Sequence, residues 1–462
     1  MPTYRSSIPQ KAGLLNWAYT NVIFPVAEPG SYRGLRARMK HLEVRESLSL
    51  EENAKLQWAD LTKLLEHAYE TSPFYKERFR SHGVQINQIQ CPNDLKVIPP
   101  LTRQDLKNHL QGIRSTMFTD DELESAATGG TTDTPVPIFR SKQSILWKSA
   151  VKFRFDAWAG MSPGDKVFYL WGARQDYSEN PSWKWRIYDQ YLMRRVWAPT
   201  SLFNRDVLES YRQRINKFCP DVIYAYPTPL TLFCEYLRDA GRDVHRPRTI
   251  ICTAEPLFAE QRKTITETMG CDVFEQYGSR DFAMIAAECA KHVGLHLNPA
   301  AALLEYQAMP GADVTDLHEL LVTDLLNYGM PLIRYKINDC ALRTTAECNC
   351  GVGYPLMQQI VGRTMDNFLL ANGDVVPGIS FQNRIIKTCP GLAKTQVIQE
   401  ELNQFRIRYV PGATFSSADI DLLKTNLGRF LPSSVKVTFE QVDDIPRERS
   451  GKTRFCISNV RR

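Results

Sequence analysis

From about residue 165 onward the chain alternates apolar, strand-like runs with helical stretches, and this alternation limits the folds open to it. Lys166–Trp171 reads as a strand. Val222–Tyr226 reads as another, closed by Pro227 and followed by a helix to about Ala240. Thr249–Thr253 is a third, with a helix ending near Gly270, and Asp272–Gln276 is a fourth. Strands separated by helices cannot close as tight hairpins, so the pattern predicts a largely parallel α/β sheet. Further on, His318–Leu325 and Leu332–Ile337 flank Asn327-Tyr328-Gly329 and predict a hairpin. Ahead of the alternation, Ser49 with Glu52 three residues later forms a capping box. The helix it opens carries Ala54, Trp58, Leu61, Leu65 and Ala68 at helical spacing, which predicts one buried stripe. Ser72-Pro73 closes that helix.

A chain of 462 residues is too long for one ordinary core. Residues 1–48 read as a basic, irregular N-terminal extension. Residues 49–362 read as a large domain, with a boundary near Ile360–Asp366. Residues 363–462 read as a small α/β domain with a strand at Gln404–Tyr409, a helix around Ser417–Leu431 and a strand at Ser434–Glu440. Hydrophobic residues at 43% and charged residues at 23% are those of a soluble globular protein. The net charge of +6 suits small anionic substrates, and no basic tract points to nucleic acid. No apolar run is long enough to span a bilayer. Leu14–Val26 is interrupted by Asn16, Asn21 and Pro25 and lacks the marks of a signal peptide. It reads as a segment that packs on the domain or sits near a membrane surface. Eleven scattered cysteines, an odd number, argue against a disulfide framework and for a reducing cytoplasm. The pattern does not separate a monomer from a homodimer.

Five short motifs carry candidate chemistry. Thr128-Gly129-Gly130-Thr131-Thr132-Asp133-Thr134-Pro135 joins glycines, which let backbone amides approach an oxyanion, to hydroxyl donors suited to phosphates. No Gly-Lys-Ser/Thr closes it, so it is not the common P-loop. Tyr277-Gly278-Ser279-Arg280-Asp281 follows a strand, where open α/β sheets bind ligands. A tyrosine there can stack on a base, an arginine can meet phosphate, and an aspartate can hold Mg²⁺. Asp339, in Tyr335-Lys336-Ile337-Asn338-Asp339, is a single carboxylate after a strand, suited to ribose hydroxyls. Gly362-Arg363 lies at the domain boundary. Lys452, in Pro446-Arg447-Glu448-Arg449-Ser450-Gly451-Lys452-Thr453-Arg454, sits on a loop that can swing a cation into a site. Taken singly, each of these is an ordinary turn, loop or solvated tail.

Taken in order, they resemble the adenylate-forming superfamily of acyl-CoA synthetases. Within it the chain is most similar to the phenylacetate-CoA ligase branch and to the CapK-like capsular polysaccharide group. Ser72-Pro73-Phe74-Tyr75, Tyr169-Leu170-Trp171-Gly172, Tyr224-Ala225-Tyr226-Pro227, Thr253-Ala254-Glu255-Pro256 and Met330-Pro331-Leu332-Ile333-Arg334-Tyr335 carry the same resemblance. It spans roughly residues 50–455 and implies a large α/β domain of mixed, largely parallel sheets with a mobile C-terminal lid. The implied reaction is ATP-dependent formation of an acyl-adenylate with release of pyrophosphate, then acyl transfer, first of all to coenzyme A. An amine or hydroxyl acceptor in polysaccharide assembly is the alternative acceptor. A non-catalytic nucleotide-binding protein of such an assembly is the alternative class.

By the same resemblance, Thr128, Gly129, Gly130, Thr131 and Thr132 wrap the pyrophosphate side of ATP. Tyr277 lies against adenine, Asp281 holds Mg²⁺, and Asp339 binds ribose. Arg363 contacts the nucleotide, and Lys452 bridges the carboxylate and the α-phosphate. Glu255, Gly278, Ser279 and Arg280 complete the nucleotide set. The acyl pocket is implied among Trp171, Arg174, Tyr224, Tyr226, Pro227 and Glu255. Cys289, His296, Cys348 and Cys350 match positions that resemble a structural Zn²⁺ site, with His292 competing for the place of His296. Three residues depart from the family pattern: Asp133 in the phosphate loop, Asp281 where Glu is commoner, and Met365 at the interdomain hinge. The hinge residue leaves the transfer step less firmly implied than adenylation.

Overall fold

A computed structural model of the chain describes residues 34–127, 136–171, 189–190, 193–200, 205–308, 317–363, 367–371, 375–377, 389, 391–412, 414–428, 431–432, 434–445 and 456–460. Thr128–Thr132, Asp133, Arg174, Met365, Lys452 and the segment Leu14–Val26 lie outside the described residues. Two compact units divide the chain. The first runs to Glu305 and includes Leu321–Ile337 and Thr344–Gln359. The second holds Tyr306–Leu320, Asn338–Arg343 and Ile360–Arg462.

The first unit begins with α1 (Leu35–Glu46), within a stretch expected to be irregular. Its sequence is so charged that its apolar pattern is faint, yet Leu35 and Leu42 are buried. They pack with Ala150, Val151, Phe155 and Trp158 of a later helix. Two of its ionic groups are buried with partners: Glu46 pairs with Arg154, and Arg45 Nε donates to Asn53 Oδ1 at 3.0 Å. Next comes α2 (Leu50–Thr71), opened by the Ser49–Glu52 capping box as expected. Leu61, Leu65 and Ala68 are buried, but Ala54 is exposed and Trp58 only half-buried. Asn53 takes the inward place instead, because its amide donates to Arg45 O (2.9 Å) and Gly353 O (2.8 Å). Ser72 caps both α2 and the following α3 (Pro73–Ser81), and α4 (Arg103–Ile113) has its own capping box at Thr102.

Strands β1 (Leu123–Ala127) and β2 (Pro137–Ser141) form a small antiparallel pair that leads into α5 (Lys142–Trp158). The alternation predicted from sequence then follows. It comprises β3 (Val167–Trp171), β4 (Arg195–Pro199), α6 (Arg205–Phe218), β5 (Val222–Ala225), α7 (Pro227–Asp239), β6 (Thr249–Thr253), α8 (Ala259–Met269) and β7 (Val273–Ser279). The order β4-β3-β5-β6-β7 is parallel throughout. One face of it buries Phe168, Ile223, Ile250 and Val273 against Ile215, Phe233 and Ile265 of α6, α7 and α8. The other face carries Val167, Val222, Tyr224, Ile251 and Phe274. Each such fully buried large side chain contributes roughly 1.5–3 kcal/mol.

Beyond β7 the sheet turns antiparallel through β8 (Ala283–Glu288) and β9 (Leu295–Leu297). With β10 (Ala302–Ala308), β11 (Leu317–Asp324), β12 (Tyr335–Arg343) and β13 (Leu356–Arg363) it reaches eleven strands, ordered β10-β11-β12-β13-β9-β8-β7-β6-β5-β3-β4. The second strand of the predicted hairpin starts at Tyr335, not Leu332. The backbone before it is satisfied elsewhere: Tyr75 Oη donates to Pro331 O (3.0 Å) and accepts from Ile333 N (3.1 Å), and Leu101 N donates to Arg334 O (3.0 Å).

In the second unit, β14 (Asn367–Leu369) pairs with β15 (Val375–Pro377). A four-stranded sheet is built from β16 (Leu392–Glu401), β17 (Gln404–Pro411), β18 (Lys436–Gln441) and β19 (Cys456–Ser458), in the order β18-β17-β16-β19. Helix α9 (Ser417–Gly428) covers it, with Leu423 and Leu427 packed on Val397, Phe405 and Ile407.

Candidate active site

The parallel strands β3, β5, β6 and β7 all end at one edge of the first unit, the edge where open α/β sheets bind ligands. Glu255 lies just past β6, and its Oε2 accepts a hydrogen bond from Thr228 N at 3.2 Å. This ties the β6 loop to the start of α7. Ala254 beside it has φ 70°, a region that side chains seldom adopt, so the loop is held in one shape.

The run Tyr277–Asp281 spans the end of β7 and the start of the turn to β8. β7 continues through Ser279 rather than stopping at Gln276, because antiparallel pairing extends it: Tyr277 faces Ala286 and Gly278 faces Met284, across a bulge. Gly278 is required there, since a Cβ would sit 2.3 Å from Ala283 O. Ser279 Oγ accepts from Phe282 N at 3.3 Å, and Phe282 packs 5.9 Å from the Tyr335 ring. Tyr277 and Asp281 are both 8% exposed. A residue that sequence reasoning missed fixes the turn from below. Lys148 of α5 donates to Asp281 O (3.2 Å) and pairs with Asp324 at 2.6 Å, with 5% and 1% of the two side chains exposed.

At β3, β4 and β5 lies an aromatic cluster. Tyr169 of β3 stacks on Trp197 of β4 with centroids 4.2 Å apart. Trp171 stands edge-on to Tyr226 at 4.8 Å and to Tyr224 at 5.9 Å. The cluster also contains charge. Tyr224 Oη donates to Gln276 Oε1 (2.8 Å), and Gln276 Nε2 donates to Asp156 Oδ1 (3.2 Å). Lys152 Nζ donates to Asp156 Oδ2 (2.6 Å) and lies 4.6 Å from the centre of the Tyr224 ring. Burial opposes the charged lysine, but the Asp156 carboxylate outweighs it and holds the group above the usual lysine range. Lys148, Lys152 and Asp156 recur every fourth residue, one polar line along a single face of α5. That spacing was the signal that could have found them.

Asp339 lies within β12, not after a strand, and follows Asn338, whose φ is 60°. Arg363 is the last residue of β13. Both belong to the second unit.

Away from the sheet edge, Cys289, His296, Cys348 and Cys350 bring their ligand atoms within 4.8 Å of one another. Cys289 Sγ is 3.6 Å from Cys348 Sγ, and Cys350 Sγ is 3.4 Å from His296 Nε2. A tetrahedral Zn²⁺ with ordinary bond lengths separates such ligands by about 3.5–3.8 Å. His296 Nδ1 donates to Tyr354 O at 3.2 Å, which fixes the tautomer and turns Nε2 to the thiols. Cys350 is held well below the usual thiol range, chiefly by its hydrogen bond with Cys289. His292 is turned elsewhere, with Nδ1 3.2 Å from Glu288 Oε2. The donor set therefore fits zinc, with His296 rather than His292.

The chain is similar to several known proteins. The family model of the CapK C-terminal domain matches residues 369–459. Protein CapK of Staphylococcus aureus is 24% identical over 396 residues, covering 84% of this chain and 86% of CapK. A phenylacetate-coenzyme A ligase of Escherichia coli (strain K12) is 27% identical over 360 residues, covering 75% of this chain and 79% of that enzyme. Among solved structures, a 2-hydroxyisobutyryl-CoA ligase in a postadenylation state, in complex with R3-HIB-AMP, superposes with TM-score 0.68 at 18% identity. It covers 90% of this chain and 91% of the ligase. An anthranilate CoA ligase in complex with anthranoyl-AMP gives TM-score 0.52 at 14% identity, covering 73% and 67%. No helix among the described residues is long and apolar enough to cross a membrane.

Proposed function

Starting from a chain that belongs among the adenylate-forming ligases, related to CapK and the phenylacetate-coenzyme A ligases, we propose that it activates a carboxylic acid with ATP. The product is an acyl-adenylate, pyrophosphate leaves, and the acyl group passes to coenzyme A. The observation that carries this reading is the run Tyr277–Asp281 at the carboxyl end of β7, with the aromatic cluster of Trp171 and Tyr226 at the end of β3 and just past β5.

Both reactants are anionic, so the site must cancel their repulsion before carboxylate oxygen can attack the α-phosphorus. Tyr277 offers a ring face for adenine. Asp281 is the carboxylate at this turn that would hold Mg²⁺, and the ion when bound neutralises phosphate charge. A single protein carboxylate with phosphates and waters is the usual company of that ion, so the residue fits. Lys148 keeps the turn in place by holding the Asp281 carbonyl. Asp339 is assigned to ribose, Arg363 to the nucleotide, Thr128–Thr132 to the departing pyrophosphate and Lys452 to the reacting carboxylate. Cys289, His296, Cys348 and Cys350 would hold a structural zinc that ties the loop around Cys350 to β9.

One observation favours a second acceptor. The C-terminal region is matched by the CapK C-terminal domain model, and CapK is similar to this chain along most of its length. An amine or hydroxyl of a polysaccharide precursor is that alternative. The test of the adenylation step is Lys452→Ala, which is expected to lower acid-dependent pyrophosphate release ~10²-fold or more. Undiminished release would remove Lys452 from the mechanism.

A further inference from the structure

Hairpin β1–β2 is a separate two-stranded sheet, not joined to the eleven-stranded one. Two strands alone are marginally stable, so something outside the pair must hold them. Their place matters, because Thr128–Thr132, assigned above to pyrophosphate, follow directly on the last residue of β1. The holder is the turn between β11 and β12. Asn327 Nδ2 donates to Phe139 O of β2 at 2.9 Å, and Phe139 N donates to Met330 Sδ at 3.4 Å. The turn thus meets both backbone groups of Phe139, as a third strand would. Gly329 lies so close that a Cβ there would sit 2.5 Å from Leu123 Cδ2 and 3.2 Å from Ser141 N, which face each other at the base of the hairpin. The Arg114 guanidinium covers the Phe139 ring at 4.4 Å.

The same turn is tied on its other side to Tyr277–Asp281. Asp324 Oδ1 accepts from Leu326 N at 3.1 Å, and Asp324 pairs with Lys148, which donates to Asp281 O. The carbonyls of the turn are taken up too. Tyr328 O accepts from His67 Nε2 (2.8 Å), Gly329 O from Ser115 N (3.0 Å) and Met330 O from Asn327 Nδ2 (3.2 Å). An asparagine in a turn ordinarily bonds its own neighbourhood. Asn327 divides its two amide protons, one to its own turn and one to β2. It does so at a cost. The side chain is fully buried, and Oδ1 has no hydrogen-bond partner among the described residues. A leucine has the same branched shape and would strand no oxygen, so what asparagine adds at this position is its two donors.

Resting on the adenylation reading above, we propose that Asn327 is a positioning residue of the ATP site. Through the Asp324–Met330 turn it holds hairpin β1–β2 in a fixed relation to Tyr277–Asp281, so that the phosphate and adenine ends of one nucleotide are met at the right separation. Its loss loosens the phosphate end and leaves the adenine end in place.

The test compares the full-length wild type with Asn327→Leu, which keeps the branched shape and removes both donors. Met330→Leu, a volume-conserving change that removes only the acceptor for Phe139 N, is measured beside it and decides the matter if Asn327→Leu does not fold. Hydrogen exchange of the ligand-free protein reads the anchor itself. Exchange is expected to quicken in residues 123–127 and 137–141 and to stay unchanged in residues 273–288. Calorimetry with Mg²⁺ reads the nucleotide. ATP is expected to bind Asn327→Leu roughly tenfold more weakly, the range for a carbonyl left without its donor. AMP, which ends at the α-phosphate, is expected to keep its affinity. In a hydroxamate assay KM for ATP rises accordingly, and KM for the acid does not. Met330→Leu should move the same quantities in the same direction, by less. Unchanged exchange in the hairpin, or ATP and AMP weakened alike, overturns the proposal. A wild type that binds no ATP would instead sink the nucleotide reading, and the exchange measurement would still decide whether Asn327 holds the hairpin.

Discussion

Replacing Lys148 by methionine tests how the Tyr277–Asp281 turn is held. Lys148 and Asp324 form a buried pair at 2.6 Å, with 5% and 1% of their side chains exposed. Methionine fills the space of the lysine stem but leaves the Asp324 carboxylate buried without its cation. Removing one partner of such a pair costs ~3–5 kcal/mol, whereas removing both charges together costs far less. Asp324 Oδ1 also accepts from Leu326 N at 3.1 Å, a bond that asparagine at 324 can keep. The double variant Lys148→Met/Asp324→Asn should therefore recover most of the loss. At the lower end of the scaling for large domains, the single variant should melt about 6–10 °C below wild type. Thermal melts followed by fluorescence read this directly. The second consequence is local. The Asp281 carbonyl loses its donor at 3.2 Å in both variants, so both should show a raised KM for ATP even where stability is regained. A single variant melting within about 2 °C of wild type, or a double variant as unstable as the single, would refute the reasoning.

Three further outcomes follow from other parts of the fold. Gly278→Ala would place a Cβ 2.3 Å from Ala283 O, so the β7–β8 bulge must shift; adenylation should fall at least ~10-fold with a melt lowered by a few degrees, and wild-type turnover would count against the turn. Protein purified without chelator should carry one zinc per chain, and Cys350→Ser should lose it; metal analysis that finds none in the parent chain would remove the zinc assignment. Burial pushes the Glu275 carboxyl up to about 8, reinforced by the nearby Glu288 carboxylate. Its folded pKa lies above its unfolded value, so the folded state binds more protons between about pH 4.5 and 8 and stability falls as pH rises through that window. Glu275→Gln should flatten this decline, and an unchanged pH profile of the melting temperature would contradict it.

The parallel half of the fold was legible because its signals are local. Apolar runs of strand length alternate with helices, and Gly270, at φ 67°, ends α8 where the sequence placed the stop. The capping box at Ser49 was equally local. What was hidden depends on partners distant in sequence. Helix α1 looks irregular because Arg45 and Glu46 are read as solvated charges until Asn53 and Arg154 are seen to meet them. Asn53 displaces Ala54 from the buried stripe only because Gly353, 300 residues away, supplies a carbonyl. Strand β12 starts late because Tyr75 and Leu101 satisfy the backbone ahead of it. In the site, the Tyr277–Asp281 run stood out by its residue types. Lys148, which supports the turn, and Lys152, which pairs with Asp156, did not, because a helical lysine reads as surface until the sheet beneath it is placed. The Cys/His cluster was legible as a set, while the choice of His296 over His292 needed Tyr354 O on one side and Glu288 on the other.

The central claim is acyl-adenylate formation, and trapping the adenylate tests it most directly. Wild-type chain, ATP and Mg²⁺ are incubated with a panel of carboxylic acids and hydroxylamine, which captures any adenylate without the natural acceptor. The account predicts acid-dependent hydroxamate, with one pyrophosphate released for each hydroxamate formed. Nucleotide binding with neither hydroxamate nor pyrophosphate from any acid would contradict it, and would make the chain a nucleotide-binding protein without ligase activity.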